Sequence, residues 1–476
     1  MRSRKGPRQM LTLLLAIGLC AASSFAAPAV AANGAPRHPH TPPPPPYGGE
    51  QDLALIPEVV DVWTQPSIFP GELLNLHVSS PTPNYSVTIK RETYSGSAAP
   101  SVVFSEERTD GVDQRGLVTW DATTATARAV WPTTSSIDST GWLPGVYTII
   151  TGNGIDSQAG RGIFVVKSPT ILKTRPLFAL SILTYQAYNN WGGASFYKTL
   201  RSVRLSLERP YRNASDTVHG WLAESSWLVW MSKNVLGLQY TTDYDLSLAA
   251  PTVNPSALIL GQHTEYVSKV FRDWLDRASG DRGGMEIANF GTNALYWQVR
   301  LEGGIESGSP KEIVAYKGMG QDPLGLTRPK EATYTFRSKE IGRPEGALLG
   351  AQYGACCLAL TPTSMTINPK IPQRFLTGTG LRGGSKFVGL YRIEADFVYT
   401  AARPTLLGSA TRVVKGWSRQ TLATVIRTGA RGARIFNAGS LVWVTGFEGT
   451  RPFGVSRASF IRFNANILDW LQIKRN

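Results

Sequence analysis

Residues 52–168 alternate between hydrophobic and polar positions with the two-residue period of half-buried β-strands. The pattern is clearest at residues 74–78, 86–90 and 146–150, which are rich in Val, Ile, Leu and Thr. Clusters of Pro, Gly and Asn separate these runs, and such residues favour turns. The alternation therefore predicts a β-sandwich of immunoglobulin-like size over residues 52–168.

From residue 169 onwards, buried apolar runs alternate with helical segments. Strands are predicted at residues 177–183, 257–261 and 284–290, and helices at residues 225–236 and 266–278. Short apolar strands with helices between them indicate a parallel sheet that is covered on both faces. After about residue 303 the chain becomes glycine-rich and irregular, with late strands at residues 386–391 and 433–436 and a closing helix at 457–473. Residues 169–476 are thus predicted to form an α/β domain.

The N-terminus has the pattern of an export signal. Basic residues precede an apolar run at residues 10–20, and two sites of the A-x-A type follow it, so residues 1–32 are predicted to be a signal peptide. An uncleaved anchor is the alternative. Residues 33–51 form a proline-rich linker with consecutive prolines at 42–46, which favours polyproline II. No later segment approaches membrane-spanning length, so we expect a protein that is secreted or associated with the cell wall.

Charge and cysteine content exclude some functions. The formal net charge is +15, but Lys and Arg are scattered and no nucleic-acid-binding motif accompanies them. A solvated basic surface is therefore expected, without a nucleic-acid partner. Cys356 and Cys357 are adjacent, and two cysteines provide no disulfide framework. We expect them to be small buried residues.

Polar side chains follow each of the predicted parallel strands. Tyr185 and Tyr188 follow the first, His263 and Glu265 the second, and Asn293 the third. Ligands of open α/β sheets bind beyond the carboxyl ends of the strands, so these side chains are expected at one rim. The sequence has no G-x-S-x-G elbow, Walker loop or dinucleotide fingerprint there.

A metal at this rim would have to be held mainly by oxygen atoms. Beyond the linker the only histidines are His77, His219 and His263, which makes a multi-histidine site implausible. Phenolate and carboxylate are hard anionic ligands that favour Fe(III), which would act as a Lewis acid. The alternative is that the tyrosines are core residues whose hydroxyls are hydrogen-bonded.

Several segments resemble the N,N-dimethylformamidase large (β) subunit-like family. The longest are TYQAYNNWGG at 184–193, GQHTEYVS at 261–268, GTNALYWQVR at 291–300 and FNAGS at 436–440. Shorter matches are RPY at 209–211, Glu224 and YTTDYDL at 240–246. Together they extend from about residue 67 to the C-terminus.

The resemblance implies a glutamine-amidotransferase-like fold for the α/β domain and one mononuclear Fe(III) per chain, held by two tyrosines and a glutamate. Carried over to this sequence, the ligands are Tyr147, Tyr188 and Glu265. Tyr147 would place the iron at the seam between the two domains, where sites are common. Tyr185 is the main rival for a ligand position.

The resemblance also implies amide hydrolysis. His263 would transfer a proton or bind the oxyanion, Asn293 would bind substrate or orient water, and Glu394 would act as general base. Each residue has a structural alternative: His263 as a core residue, Asn293 as the cap of a following helix, and Glu394 as a surface carboxylate.

We therefore expect a secreted hydrolase of a non-peptide C–N bond that acts on a small-molecule amide. Two questions of assembly stay open: whether the chain binds a separate small subunit, as in the family's best-known enzyme, and whether it forms a homo-oligomer. Export argues for an amide other than dimethylformamide, because breakdown of a small formamide belongs inside the cell. The alternative is a non-catalytic, cell-wall-associated binding protein that keeps the scaffold. A glycan-active enzyme would need a close pair of catalytic carboxylates and ranks last, since Glu265 has no obvious acidic neighbour at the rim.

Overall fold

The computed structural model describes residues 59–476, apart from 153, 155–159, 198–200, 212–220, 304–310, 357, 359–360 and 413–419. The predicted signal peptide, residues 1–32, and the linker, residues 33–51, lie outside the described residues. Cys357 does too, whereas Cys356 is partly exposed.

The first region is a β-sandwich of two sheets with an added hairpin. Its strands are β1 (Asp61–Trp63), β2 (Ser67–Ile68), β3 (Leu73–Ser79), β4 (Tyr85–Arg91), β5 (Ser101–Arg108), β6 (Val118–Asp121), β7 (Thr126–Ala129), β8 (Ser135–Asp138), β9 (Gly145–Gly152) and β10 (Gly160–Val166). One sheet has the order β1-β3-β8 and the other β2-β10-β9-β4-β5, while β6 pairs only with β7. The three runs predicted as strands lie within β3, β4 and β9.

Alternation explains why these strands form a sandwich. Along β4 every second residue is buried, and Val87 and Ile89 enter a core that both sheets share. Leu76 of β3 and Phe164 of β10 belong to the same core. Val146 and Val165 point the other way and pack with Phe178, so the outer face of the larger sheet is covered by the second region.

The second region is built around one large mixed sheet. Its elements in chain order are β11 (Leu177–Leu180), α1 (Ile182–Tyr188), β12 (Arg204–Ser206), α2 (Trp221–Asn234), β13 (Gln239–Thr242), α3 (Asp243–Leu248), β14 (Ala257–Leu260), β15 (Tyr266–Ser268), α4 (Lys269–Ala278), β16 (Glu286–Asn289), β17 (Trp297–Glu302), β18 (Glu312–Val314), α5 (Glu345–Leu349), β19 (Ala351–Ala355), β20 (Thr363–Ile367), β21 (Lys386–Tyr391), β22 (Ala395–Val398), β23 (Thr405–Arg412), β24 (Gln420–Thr428), β25 (Arg434–Asn437) and α6 (Arg457–Trp470). The strand order is β13-β11-β14-β16-β25-β24-β23-β20-β21, with β22 paired to β24 and β19 to β22.

The first five strands of this order are parallel, as the apolar runs predict. All residues of β11 and β14 are buried, because α2 and α6 cover one face of the sheet and α4 covers the other. In the later chain, the predicted strands 386–391 and 433–436 are observed as β21 and β25, and the predicted closing helix as α6. Contrary to the prediction, the rest of this part is not irregular but adds further antiparallel strands to the same sheet, where β-bulges interrupt the alternation. The glutamine-amidotransferase-like and immunoglobulin-like assignments stay predictions.

Two element boundaries near the predicted rim also differ. The run at residues 177–183 is not one strand: β11 ends at Leu180 and Ile182 begins helix α1. The Asp243 carboxylate accepts hydrogen bonds from the Leu183 amide at the start of this helix, which stabilises a helix N-terminus. The predicted helix 266–278 begins as β15, and its helical part starts at Lys269 after the Ser268 cap.

A buried contact joins the sandwich to the second region. Trp191 Nε1 donates to Asp61 Oδ2 on β1 over 3.2 Å, and Asp61 is buried. Burial raises the pKa of Asp61 from 3.8 to about 7, against the lowering effect of the Trp191 hydrogen bond.

We expect Asp61→Asn to stabilise the protein at high pH. The folded-state pKa of Asp61 is raised, so its contribution to stability is complete below about pH 4 and is lost as pH rises through 7. An asparagine at this position has no charge to bury and can still accept from Trp191, so the variant should gain up to about 4 kcal/mol by pH 8. Urea unfolding of both proteins from pH 4 to pH 8 measures the gain, and a difference that does not grow with pH would contradict it.

Candidate functional site

The segment after β14 carries the central carboxylate, and its backbone is fixed from several sides. Gly261 begins it, and an added Cβ there would lie 1.6 Å from Glu224 Oε1, so a larger residue would have to displace the buried Glu224 side chain. The Glu265 amide donates to Thr184 Oγ1 on α1 over 3.0 Å. Its carbonyl accepts from the amides of Tyr296 and Trp297. These contacts hold Glu265 at the carboxyl end of the parallel sheet.

Tyrosine hydroxyls converge on the Glu265 carboxylate. Tyr188 OH donates to Oε2 over 2.8 Å, and Tyr197 OH lies 2.9 Å from both carboxylate oxygens. Tyr266 OH bonds to Tyr197 OH at 2.5 Å. The rings of Tyr188 and Tyr197 stack with centroids 4.1 Å apart and 15° between their planes. We call Tyr188, Tyr197, Tyr266 and Glu265 the tyrosine–carboxylate cluster.

A second group of polar side chains faces the cluster. His263 Nε2 lies 3.6 Å from Glu265 Oε2 and 3.4 Å from Glu394 Oε2. Asn293 Nδ2 donates to Glu394 Oε2 over 3.1 Å and lies 3.4 Å from His263 Nε2. The structure thus brings together His263, Asn293 and Glu394, the three predicted catalytic residues, next to Glu265.

The backbone positions of Asn293 and Glu394 argue against their structural alternatives. Asn293 follows β16, has a φ of 51° and leads into β17, so no helix follows for it to cap. Its amide donates to Asp396 Oδ1 over 3.0 Å. The Glu394 side chain is only 15% exposed and points towards His263, unlike a surface carboxylate.

Backbone strain is concentrated around these residues. Of the eight non-glycine residues with positive φ in the described ranges, four lie at or beside the site: Asn293, Leu295, Lys317 and Ile393. A β-branched residue such as Ile393 rarely adopts a φ of 67°. Strain of this kind persists only where the surroundings impose it, and it is frequent at functional sites.

Burial dominates the electrostatics of the site. Burial raises the pKa of Glu265, and the neighbouring Glu394 adds to that effect while His263 opposes it. Burial and Glu265 raise the pKa values of Tyr188 and Tyr197 well above 10. Burial lowers the pKa of His263, but Glu394 and Glu265 outweigh it and the net shift is upward. The site therefore favours added positive charge.

Lys317 supplies one positive charge at the edge of the cluster. Its Nζ lies 3.9 Å from the ring centroid of Tyr197, 5.1 Å from that of Tyr266 and 5.0 Å from that of Trp297. The Phe196 carbonyl accepts from it at 3.4 Å. Burial lowers the pKa of Lys317 to about 7, although Glu265 opposes this shift.

The structure does not bring Tyr147 to the site. Its ring packs in the sandwich core between Trp142 and Phe164, and its hydroxyl donates to the Leu143 carbonyl over 2.6 Å. The structure thus does not place Tyr147 beside Glu265 at a seam between the two domains, as predicted, because β9 directs its side chain into the sandwich. Its rival Tyr185 is buried behind the site, where it donates to Glu224 Oε2 over 2.8 Å.

The sequence analysis did not identify three residues of the site: Tyr197, Tyr266 and Lys317. Tyr197 lies four residues after the motif that ends at Gly193, and Tyr266 lies inside the 261–268 motif. Their positions in or next to motifs that match the family could therefore have identified both tyrosines as candidate site residues. Lys317 lies 52 residues after Glu265, by their sequence numbers, in a loop without a recognisable motif, so only the fold reveals it.

The donor atoms limit what metal the site could hold. Among the described residues, no group of three or more His, Cys, Asp or Glu is arranged to bind a metal ion. The oxygens nearest the Glu265 carboxylate include two phenol oxygens, with Tyr188 OH at Oε2 and Tyr197 OH at both carboxylate oxygens. Two phenolates and a carboxylate form a hard donor set that suits a trivalent ion.

Comparison with known protein families gives a match over residues 86–454. The matching family is described as N,N-dimethylformamidase beta subunit-like, C-terminal. The chain belongs to this family. The family's name denotes a hydrolase of a small amide and one subunit of such an enzyme. No curated protein matches the chain. In the described part of this dimethylformamidase-like chain, no helix is long and apolar enough to span a bilayer.

Proposed function

We propose that this chain is a secreted hydrolase of a non-peptide C–N bond and holds one Fe(III) through Tyr188, Tyr197 and Glu265. The observation that carries the proposal is the convergence of two phenol oxygens on both oxygens of a buried carboxylate. Membership of a dimethylformamidase-like family supports the hydrolase class. In this proposal Tyr197 has the ligand position for which the family resemblance implies Tyr147, with Tyr185 as the rival.

The buried cluster fits a highly charged cation. Burial raises the pKa values of both phenols, so their deprotonation in this site needs strong nearby positive charge. Bound Fe(III) would supply that charge and act as a Lewis acid towards an amide carbonyl or a water molecule. Lys317 alone is a weaker partner, because burial lowers its pKa to about 7.

Two residues of the chain, Glu394 and His263, each carry out one proton transfer of amide hydrolysis. Glu394 accepts a proton from water at its Oε2 atom. The side-chain amide of Asn293 donates a hydrogen bond to this oxygen and holds it in place. His263 Nε2 lies between Glu394 and Glu265 and passes this proton to the departing nitrogen. The C–N bond breaks, a C–O bond forms, and the products are an acid and an amine.

Aromatic rings border the polar site. Tyr296 and Tyr353 are partly exposed and their ring centroids lie 5.3 Å apart. Burial raises the pKa of Tyr353, and the nearby charges of Glu394 and Glu265 raise it further. Arg337 lies over the Tyr296 ring at 4.7 Å and pairs with Glu345. A small neutral amide with apolar substituents suits such a border better than a charged peptide does.

The proposal also includes where the protein is located and which subunit it binds. The signal pattern of residues 1–32 supports a secreted or cell-wall-associated location. The family's name describes a beta subunit, which supports a separate small subunit as partner.

Metal analysis with a visible spectrum of the purified mature protein tests the proposal. We expect about one iron per chain, a broad phenolate-to-iron absorption band, and hydrolysis of at least one amide in a screen of small N-substituted amides. Protein that stays colourless and metal-free after reconstitution with iron would overturn the iron site. If that protein also bound purified cell wall without cleaving any amide, the non-catalytic binding protein would replace the hydrolase.

A further inference from the structure

One buried arginine bonds near both ends of the loop between the two proposed tyrosine ligands, in addition to the Trp191–Asp61 contact inside that loop. Arg209 is only 1% exposed. Its Nη2 donates to the Gln186 carbonyl, its Nη1 donates to the Ala194 carbonyl over 2.8 Å, and its Nε donates to Gln186 Oε1 over 3.0 Å. One guanidinium thus bridges two backbone positions, one before Tyr188 and one before Tyr197.

Other hydrogen bonds connect the same loop residues. Asn189 Nδ2 donates to Gln186 Oε1 and to the Pro210 carbonyl, which follows Arg209 in the chain. The Phe196 amide donates to the Ala187 carbonyl over 3.1 Å and closes the loop between its two ends. The only regular structure in the described part of this loop is the short 3-10 turn Trp191–Gly193. The loop therefore has little internal structure of its own.

The contacts of Arg209 are not those expected of a residue kept for stability. These three hydrogen bonds of its guanidinium go to neutral oxygens, and burial lowers its pKa to about 9. A buried charge that is held by neutral groups is costly, and an apolar residue of similar size would avoid that cost. A planar fork that reaches three acceptors at once is something only arginine offers.

We infer that Arg209 is a positioning residue that fixes the spacing of Tyr188 and Tyr197 on Glu265. The loop between the tyrosines has its two ends tied by this guanidinium, and the phenol oxygens lie 2.8 and 2.9 Å from the carboxylate as a result. The consequence for iron rests on the proposed function, whereas the consequence for the loop does not.

Arg209→Met, with Arg209→Lys and Arg272→Met as companions, tests the inference. Arg272 is a matched control because it is 2% exposed, but it bonds to Asp276 over 2.9 Å and packs on Phe336. Methionine is unbranched and smaller than arginine, so it fits within the space of the arginine side chain without overpacking. Lysine keeps the charge but cannot bridge both carbonyls.

Amide hydrogen exchange in metal-free protein is the first readout. We expect the Phe196 amide to exchange at least about 10-fold faster in Arg209→Met and Arg209→Lys than in the wild type. In Arg272→Met, the ratio of its exchange rate to that of the core amides should equal the wild-type ratio. Unchanged exchange of the Phe196 amide in both Arg209 variants would overturn the inference. If Arg209→Met does not fold, Arg209→Lys decides the result alone.

Iron binding is the second readout. We expect the iron affinity of both Arg209 variants to fall about 10- to 100-fold, with a shifted absorption band, while Arg272→Met keeps the wild-type spectrum. A faster loop in a protein that binds no iron at all would support the positioning role and reject the iron site. An unchanged band and affinity in a loosened loop would overturn the role of Arg209 in setting the phenol spacing.

Discussion

Replacing Glu265 by glutamine is expected to remove both iron and activity. Glu265 is the acceptor of the Tyr188 and Tyr197 hydroxyls, and a neutral amide of the same shape keeps the packing but loses the charge that would hold the metal. Changes beside a metal ligand cost about 10- to 100-fold in affinity, and loss of the ligand itself should cost more. We expect under about a tenth of the wild-type iron content and no visible band. Elemental analysis and absorption spectra measure both.

Glu224→Gln is the matched control for this change. Glu224 is also a buried glutamate that accepts a tyrosine hydroxyl, from Tyr185 over 2.8 Å, but it lies outside the tyrosine–carboxylate cluster. Burial raises its pKa to about 7, so glutamine resembles a form that the wild type already populates. The control should keep its iron. Equal iron loss in both variants would indicate a general effect of buried carboxylates and would count against Glu265 as a ligand.

The sequence could predict the part of the site that lies on regular structure. The parallel strands β11, β14 and β16 consist of short buried runs whose periodicity is visible in the chain, and His263, Glu265 and Asn293 follow directly after two of them. Because parallel strands end at one edge, locating the strands was enough to bring these side chains together.

The remaining residues depend on contacts that no local pattern encodes. Tyr197 reaches Glu265 from the end of a folded-back loop that Arg209 and the Phe196–Ala187 backbone hydrogen bond tie together. Tyr147 and Tyr197 are equivalent as sequence letters, and only the structure shows that the Tyr147 hydroxyl bonds inside the sandwich while the Tyr197 hydroxyl faces Glu265. Of the strands after β18, β21 and β25 were predicted, whereas β19, β20, β22, β23 and β24 were not, because bulges and glycines break the alternation there.

Tyr197→Phe and Tyr147→Phe together decide which tyrosine is the second ligand. Phenylalanine at 197 removes the oxygen that faces both carboxylate oxygens of Glu265 and bonds to Tyr266, while the ring can keep its stacking on Tyr188. We expect the iron affinity to fall by more than about 10-fold and the phenolate-to-iron band to weaken and shift. Phenylalanine at 147 removes one hydrogen bond to Leu143 inside the sandwich. Its expected effect is a loss of about 1 kcal/mol of stability with an unchanged band.

The comparison is informative because both variants lose a single buried hydroxyl. Iron titrations followed at the band maximum give the affinities, and urea unfolding of the metal-free proteins gives the stabilities. If Tyr147→Phe bleached the band and Tyr197→Phe did not, the ligand would be the one that the family resemblance assigns, and the sandwich would have to open to let Tyr147 reach Glu265. Opening would expose the core that Tyr147 shares with Trp142 and Phe164, so that outcome would also require iron binding to depend on unfolding of the sandwich. Loss of the band in Tyr197→Phe alone needs no such rearrangement, because the hydroxyl already faces the carboxylate.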